Sequence, residues 1–236
     1  MTSTGESRST RSRPAKPALS REAILDAGMP ILRSEGLDAL TLRRLGTELD
    51  TGAASLYVYF KNAAELHGAL FDRVVGEIPL PKVDKRRWRQ QLKQLLIDMV
   101  RVMDAHPGVA RVPIANIPTG ENALAVSDVS IALMKAGGLT DRVTGWACDL
   151  LTLYATAIAY ETSVYAEKGA DKSQAEAEAA LHEELNATFA QLSPERYPNI
   201  FALGPALVEG SGEERFEFGL DVLLDGLIAQ SRKEAP

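Results

Sequence analysis

An all-α fold is what this sequence predicts, and three observations carry it. Apolar residues recur at helical spacing in one segment after another. The starts of those segments carry helix caps: Ser20, Thr41, and the pairs Asn62 with Glu65 and Ser173 with Glu176. Only "SLYVYF", residues 55–60, is rich in strand-favouring residues, and as a strand it would have no partner. The pattern divides the chain into a small N-terminal unit of three helices and a larger helical region.

The first helix starts after Ser20 and runs to about Ser34, with Ala23, Ile24, Ala27, Gly28, Ile31 and Leu32 on one face. Pro30 conflicts with it, because proline removes a backbone donor and kinks a helix. Gly36 ends the helix. Thr41 caps a second short helix, "LRRLGTEL", with Leu42, Leu45 and Leu49 on one side, and Asp50 marks a turn. Read as a helix over residues 52–60, the next segment separates its faces. Leu56 and Phe60 form the buried stripe, Ala54, Ser55 and Val58 point away from it, and Tyr57 and Tyr59 flank it. A fourth helix through Leu66, Leu70, Val74 and Val75 stops near Pro79 and Pro81.

The remainder also reads as helices. Asp84 to Ala105 places Trp88, Leu92, Leu95, Leu96, Met99 and Met103 on one side. Pro107, Pro113 and Pro118 break up a connecting region. Helical spacing resumes at about Asn122 to Ala136, from Thr140 to Lys168, from Ser173 to about Leu192, and from Glu213 to Gln230. Residues 193–212, "SPERYPNIFALGPALVEGSG", hold three glycines and three prolines and read as a long loop.

Composition bounds the function. Net charge is −6, yet residues 1–75 carry ten basic and nine acidic side chains, so the acidic excess lies wholly beyond them. Residues 1–21 hold five basic side chains against one acid, and residues 1–18 read as a disordered arm suited to a polyanion. No apolar run approaches a membrane span and the N-terminus lacks a secretory core, so no membrane contact and a cytoplasmic location are expected. The single cysteine, Cys148, reads as a small buried hydrophobe.

Two short helices joined by a tight turn, the second with a small and nearly uncharged outer face, make a helix-turn-helix suited to a DNA major groove. Here the residues resemble a family. "SREAILDAG…ILRSEGLDALTLRRLGTEL…GAASLYVYFKNAAELHGAL" is similar to the N-terminal domain of the tetracycline-repressor (TetR) family of bacterial regulators. Asp50 replaces the usual turn glycine, and Ala63 stands where many members have a second lysine. The resemblance implies that Arg43 reaches a base edge and that Ala53, Ala54, Ser55 and Val58 face bases or methyls. It places Thr41, Tyr57, Tyr59 and Lys61 on phosphates.

Two C-terminal stretches, "FEFGLDVLLDGL" and "W…HPGVARV", resemble the ligand domain of the member for which the family is named. The implied layout is a basic arm at 1–18, a helix-turn-helix DNA-binding domain at 19–66, and a helical effector-binding and dimerisation domain at 67–232. The implied partners are double-stranded operator DNA, a small-molecule effector and a second copy of the chain. Gly219 and Gly226, surrounded by leucines, would let a second helix approach closely. At the positions where tetracycline repressor holds its metal-chelated drug, this chain has Leu95, Met99, Pro113 and Pro79. No metal or other cofactor is therefore implied, and the effector should be fairly apolar. Candidate lining residues are Leu95, Met99, Met103, His106, Asn116, Met134, Trp146, Tyr154 and Glu161. The leading reading is a repressor released by that effector. The alternatives are an activator, a regulator without an effector, and a helical enzyme using His67, His106 or His182. The enzyme has no metal, nucleophile or phosphate-loop motif behind it.

Overall fold

The computed structural model describes residues 18–168 and 174–234. The basic arm to residue 17 and the Ser173 cap lie outside them. Helix α1 (Arg21–Glu35) starts where the Ser20 hydroxyl accepts from the Ala23 N–H at 3.0 Å. It continues through Pro30, whose carbonyl accepts from the Ser34 hydroxyl at 2.9 Å. Helix α2 (Leu42–Glu48) is capped by Thr41, which accepts from the Arg44 N–H at 3.0 Å. Helix α3 is only Ala53–Leu56, shorter than the 52–60 expected. From Tyr57 the chain tightens into a turn in which both Tyr59 and Phe60 donate to the Leu56 carbonyl. Aromatic and β-branched side chains lose rotamer freedom in a helix, and the turn lets Phe60 reach the core while Tyr59 reaches back to α1.

Helix α4 (Ala63–Val75) opens on a modified capping box. Asn62 accepts from the Glu65 N–H at 2.9 Å, while Glu65 reaches the N–H of Lys61 at 2.9 Å. Its Leu66, Leu70, Phe71, Val74 and Val75 are buried, with Leu70 beside Leu40 and Leu45, and the helix packs on α1 and on helices of the larger region. The expected domain boundary after residue 66 thus falls inside α4.

The larger region comprises α5 (Trp88–Asp104), α6 (Arg111–Ala115), α7 (Glu121–Ala136), α8 (Asp141–Lys168), α9 (Gln174–Ala190), α10 (Pro198–Val208) and α11 (Gly212–Glu234). Helix α5 is central, packed on α7 and α8, with α11 across α8. Leu92, Leu95, Leu96, Met99 and Met103 of α5 are buried, and one apolar cluster runs from Ile24 to Leu224 through both regions. Antiparallel to α5, α11 is stitched to it by Arg89 with Asp221 and Asp225, Lys93 with Glu217 (3.0 Å) and Asp221 (2.9 Å), and Arg101 with Glu213 (3.0 Å). Pro113 lies within α6 rather than breaking a loop. Residues 193–212 are not a loop throughout, because α10 occupies their middle. Pro198 sits in its first turn, where a missing N–H costs nothing. Among the described residues there is no strand.

Phe60 is fully buried, so Phe60→Ala is expected to cost about 3–5 kcal/mol in urea unfolding. Tyr59→Phe removes only the hydroxyl bond to the Leu19 carbonyl (2.6 Å) and should cost about 1 kcal/mol. An unchanged urea midpoint in Phe60→Ala would contradict the packing described.

Candidate nucleic-acid interface and effector region

A buried base holds the outer face of α2 and α3 in place. Leu45, Leu56 and Phe60 are fully buried. The turn between the helices is closed by the Thr51 N–H on the Gly46 carbonyl at 2.8 Å, with Asp50 at φ 47°. Aspartate tolerates that left-handed geometry better than most residues. Ala54, Ser55, Tyr57 and Val58 are exposed on the far side, and Ala53 is half-buried at its edge. Val58 is 81% exposed.

Charge on this face is sorted by pairing. Arg44 is held between Glu35 (3.1 Å) and Glu48 (2.7 Å), which raise its guanidinium pKa. Arg21 lies 4.2 Å from the centre of the Phe60 ring, donates to the Tyr59 carbonyl at 2.9 Å, and pairs with Glu65 at 3.2 Å. The Lys61 N–H first, and Arg21 after it, hold the Glu65 carboxyl below the usual range. Asp26 pairs with Arg73, and Asp38 with Arg111 at 2.8 Å. Arg43 is exposed and among the described residues has no ion pair. Lys61 is exposed in the turn that precedes α4.

Two residues expected on phosphates make hydrogen bonds within the chain. The Thr41 hydroxyl caps α2, and the Tyr59 hydroxyl donates to the Leu19 carbonyl. Tyr57 is the tyrosine left facing outward. The brace supplied by Arg21 was not legible in the sequence, where it reads as part of a basic arm.

The effector candidates divide. Leu95, Met99, Met103 and Met134 are buried in one core. His106 is buried at its end, with Nδ1 2.7 Å from the Val102 carbonyl and Nε2 accepting from the Arg33 Nε–H at 3.2 Å. Asn116 is exposed at the end of α6. Trp146 is 65% exposed with the Arg142 guanidinium 4.3 Å from its ring centre, and so stands away from that core. Tyr154 packs on Phe216 (5.4 Å between ring centres) and against Gly219 of the same chain. Gly219 therefore serves an intrachain approach to Tyr154. Glu161 is exposed and accepts from the Tyr165 hydroxyl at 3.4 Å.

Three groups escaped the sequence reading. Thr144 and Thr156 bury hydroxyls that have no hydrogen-bond partner among the described residues. Asp104, at the end of α5, is solvent-accessible yet hemmed in by protein, and burial pushes its carboxyl up to about 7. A cleft of about 460 Å³ opens elsewhere, where α1, α4 and α7 meet, lined by Asp26, Met29, Arg33, Arg73, Glu77 and Asn122 among others. Cys148 is half-buried, and burial raises its thiol.

A second face is apolar and uncovered. Trp146, Leu150, Leu153, Ala157 and Tyr160 of α8 are exposed at alternating three- and four-residue steps. Phe218, Val222, Gly226 and Ala229 make a matching exposed stripe on α11. Among the described residues no helix is long and apolar enough to cross a membrane.

Residues 24–70 match the family model described as bacterial regulatory proteins of the tetR family, and residues 80–231 match the tetracyclin repressor-like C-terminal domain. The chain is 29% identical over 234 residues to the HTH-type transcriptional repressor DrrR1 of Streptomyces coeruleorubidus, covering 95% of this chain and 84% of the relative. It is 28% identical over 211 residues to tetracycline repressor protein class C of Escherichia coli, covering 89% of this chain and 90% of that one. Among solved structures, ActR of Streptomyces coelicolor in complex with actinorhodin superposes with a TM-score of 0.82 at 33% identity, over 93% of this chain and 100% of that one. With both halves matched in the order in which the helices are laid out, this chain belongs to the TetR family of DNA-binding transcriptional regulators.

Proposed function

We propose that this regulator is a homodimeric repressor that grips a near-palindromic operator and lets go when a small, fairly apolar effector enters the larger domain. The observation that carries the DNA-reading half is the face of α3. An aliphatic side chain as exposed as Val58, in the turn after α3 and close in sequence to the exposed Ala54 and Ser55, suits contact with thymine methyls and base edges. Arg43, exposed and left without an ion pair among the described residues, would read a guanine edge. Tyr57 and Lys61, both exposed, would hold phosphates, with Thr41 at the rim. Ala53 contributes close approach.

The two exposed stripes on α8 and α11 support the dimer. Exposed apolar stripes of this length are covered in stable assemblies, and two antiparallel helices from each copy would bury them as a four-helix bundle. A twofold axis there presents two reading heads to half-sites about 34–36 Å apart, or a multiple of that. The effector half rests on Leu95, Met99, Met103 and Met134. Methionines adapt to a guest, and the unsatisfied Thr156 hydroxyl offers it a polar anchor. His106 closes this core toward the DNA-binding domain.

Binding should be read by fluorescence anisotropy on DNA from upstream of the chain's own gene and on random duplex, over a salt series. Tyr57→Ala is expected to weaken both by roughly tenfold, while Arg43→Ala should lose about 1–3 kcal/mol on the specific duplex only. No preference of the parent chain over random DNA would sink the repressor reading. A charge in the α11 stripe, Val222→Glu, should shift the sedimentation profile from dimer to monomer with helix content unchanged, and a dimer that persisted would exclude this face.

Asp104 gives a pH dependence. Its folded value of about 7 lies above the ordinary 3.8, so the native state holds the proton more tightly than the unfolded chain. Ionising it costs stability progressively from about pH 4 to pH 7, and the cost is complete above that. Asp104→Asn should therefore raise stability at pH 8 by up to about 1 kcal/mol after solvent screening, and leave it unchanged at pH 4. Equal urea midpoints for the two chains at pH 8 would refute it.

A further inference from the structure

We infer that Asp72 is the positioning residue that sets the angle of the DNA-reading head on the larger domain, by capping α7 from α4. Helix α7 starts after Gly120, which has no side chain to cap it. The orphan N–H groups of its first turn are taken instead by a carboxylate from another helix. Asp72 Oδ1 accepts from the Ala123 N–H at 2.9 Å. Its Oδ2 accepts from the Asn122 N–H at 3.4 Å and from the Asn122 side-chain amide at 3.2 Å. These are the second and third residues of the helix, the two N–H groups that a capping side chain ordinarily serves. The negative charge also meets the positive end of a helix of 16 residues.

The local sequence makes room for this arrangement. A Cβ at Gly120 would collide with the Asp72 carboxylate, and one at Gly76 would press on the Asn122 amide. The next residue along α4, Arg73, pairs with Asp26 of α1. Consecutive residues of one helix therefore hold the larger domain on one side and the reading head on the other. A second tie runs in parallel, from Arg33 of α1 to His106 at 3.2 Å and to Glu77 at 2.5 Å. Between the two ties lies the open cleft of about 460 Å³, so the apolar packing is interrupted here. Polar bonds, which have defined directions, set the relative angle at this point.

The consequence is specific. Loss of the Asp72 cap leaves each reading head folded, since none of its buried residues is touched. What is lost is the fixed relation between two heads on a dimer. The inference rests on the reading of the chain as a dimer on two half-sites. It predicts a split that a general loss of stability does not give.

The test uses the full-length chain and a duplex selected in vitro from random DNA by the parent protein. A second duplex keeps one half-site and scrambles the other. Asp72→Ala should bind the two-half-site duplex roughly tenfold more weakly and the half-site duplex with unchanged affinity. Gly120→Ala, which displaces the carboxylate by steric means, should reproduce that split. Asp72→Asn keeps an acceptor oxygen for the Ala123 N–H and should recover most of the affinity. An unchanged ratio of the two affinities in Asp72→Ala, or a fall of both together, overturns the proposal. A parent chain that bound both duplexes alike would overturn the two-half-site reading itself, and the positioning role with it.

Discussion

Helix α4 is buried on two sides, and the architecture depends on that. Its Leu66, Leu70, Phe71, Val74 and Val75 are buried in the one apolar cluster that runs through both regions, and the helix packs on α1 as well as on α5, α6 and α7. One rod of 13 residues thus joins the two regions through shared burial. At roughly 25 cal/mol per Å² of buried apolar area, five such side chains outweigh every surface ion pair in the head. The polar bonds that flank α4 then have a different role from the apolar ones. Burial fixes that the regions touch; the bonds of Asp72, Arg73 and Arg33 fix at what angle.

The same division explains how α3 holds its shape. Four residues make no stable helix alone, because nucleation fixes several torsions for the first hydrogen bond. Leu56 and Phe60 supply the missing free energy by burial, and Arg21 packs over the Phe60 ring from the first helix. The outer residues are then free to be small. This was largely legible beforehand: the spacing of Leu56 and Phe60 separates the faces, and the caps at Ser20, Thr41 and Asn62 mark the starts. The length of α3 was not, because local periodicity does not show that Tyr59 spends its hydroxyl on Leu19. Residues 193–212 misled for a related reason. Proline in the first turn of α10 is compatible with a helix, although a count of prolines and glycines suggests a loop.

Legibility fell further in the larger region. The positions of Leu95, Met99, Met103 and Met134 follow from helical spacing alone. Trp146, Tyr154 and Glu161 share the same long helix α8, and a single helix offers more than one apolar side. Spacing cannot say which side meets α5 and which meets solvent, so Trp146 reads equally well as a pocket wall or as part of an outer stripe. Gly219 shows the same limit, since a small residue signals close approach without naming the approaching group, here Tyr154. Asp104 and Thr156 are recognised only once their surroundings are known.

Charge completes the argument. Part of the acidic excess of the later region is paired within the fold. Glu213, Glu217, Asp221 and Asp225 line one side of α11, against Arg101, Lys93 and Arg89 of α5. In the head, Glu35, Glu48, Glu65 and Asp26 are each taken by an arginine. A chain of net charge −6 can then present a polyanion with a face whose acids are internally neutralised and whose Arg43 and Lys61 stand outward. On the proposed dimer, an effector need not alter that face at all. It has only to bind more tightly to the arrangement in which the two faces no longer match the groove spacing. A hundredfold difference in its affinity per dimer shifts the balance by about 2.7 kcal/mol. That is comparable to the few directional bonds of α4, so under the proposed reading an effector of ordinary affinity would suffice to move the heads.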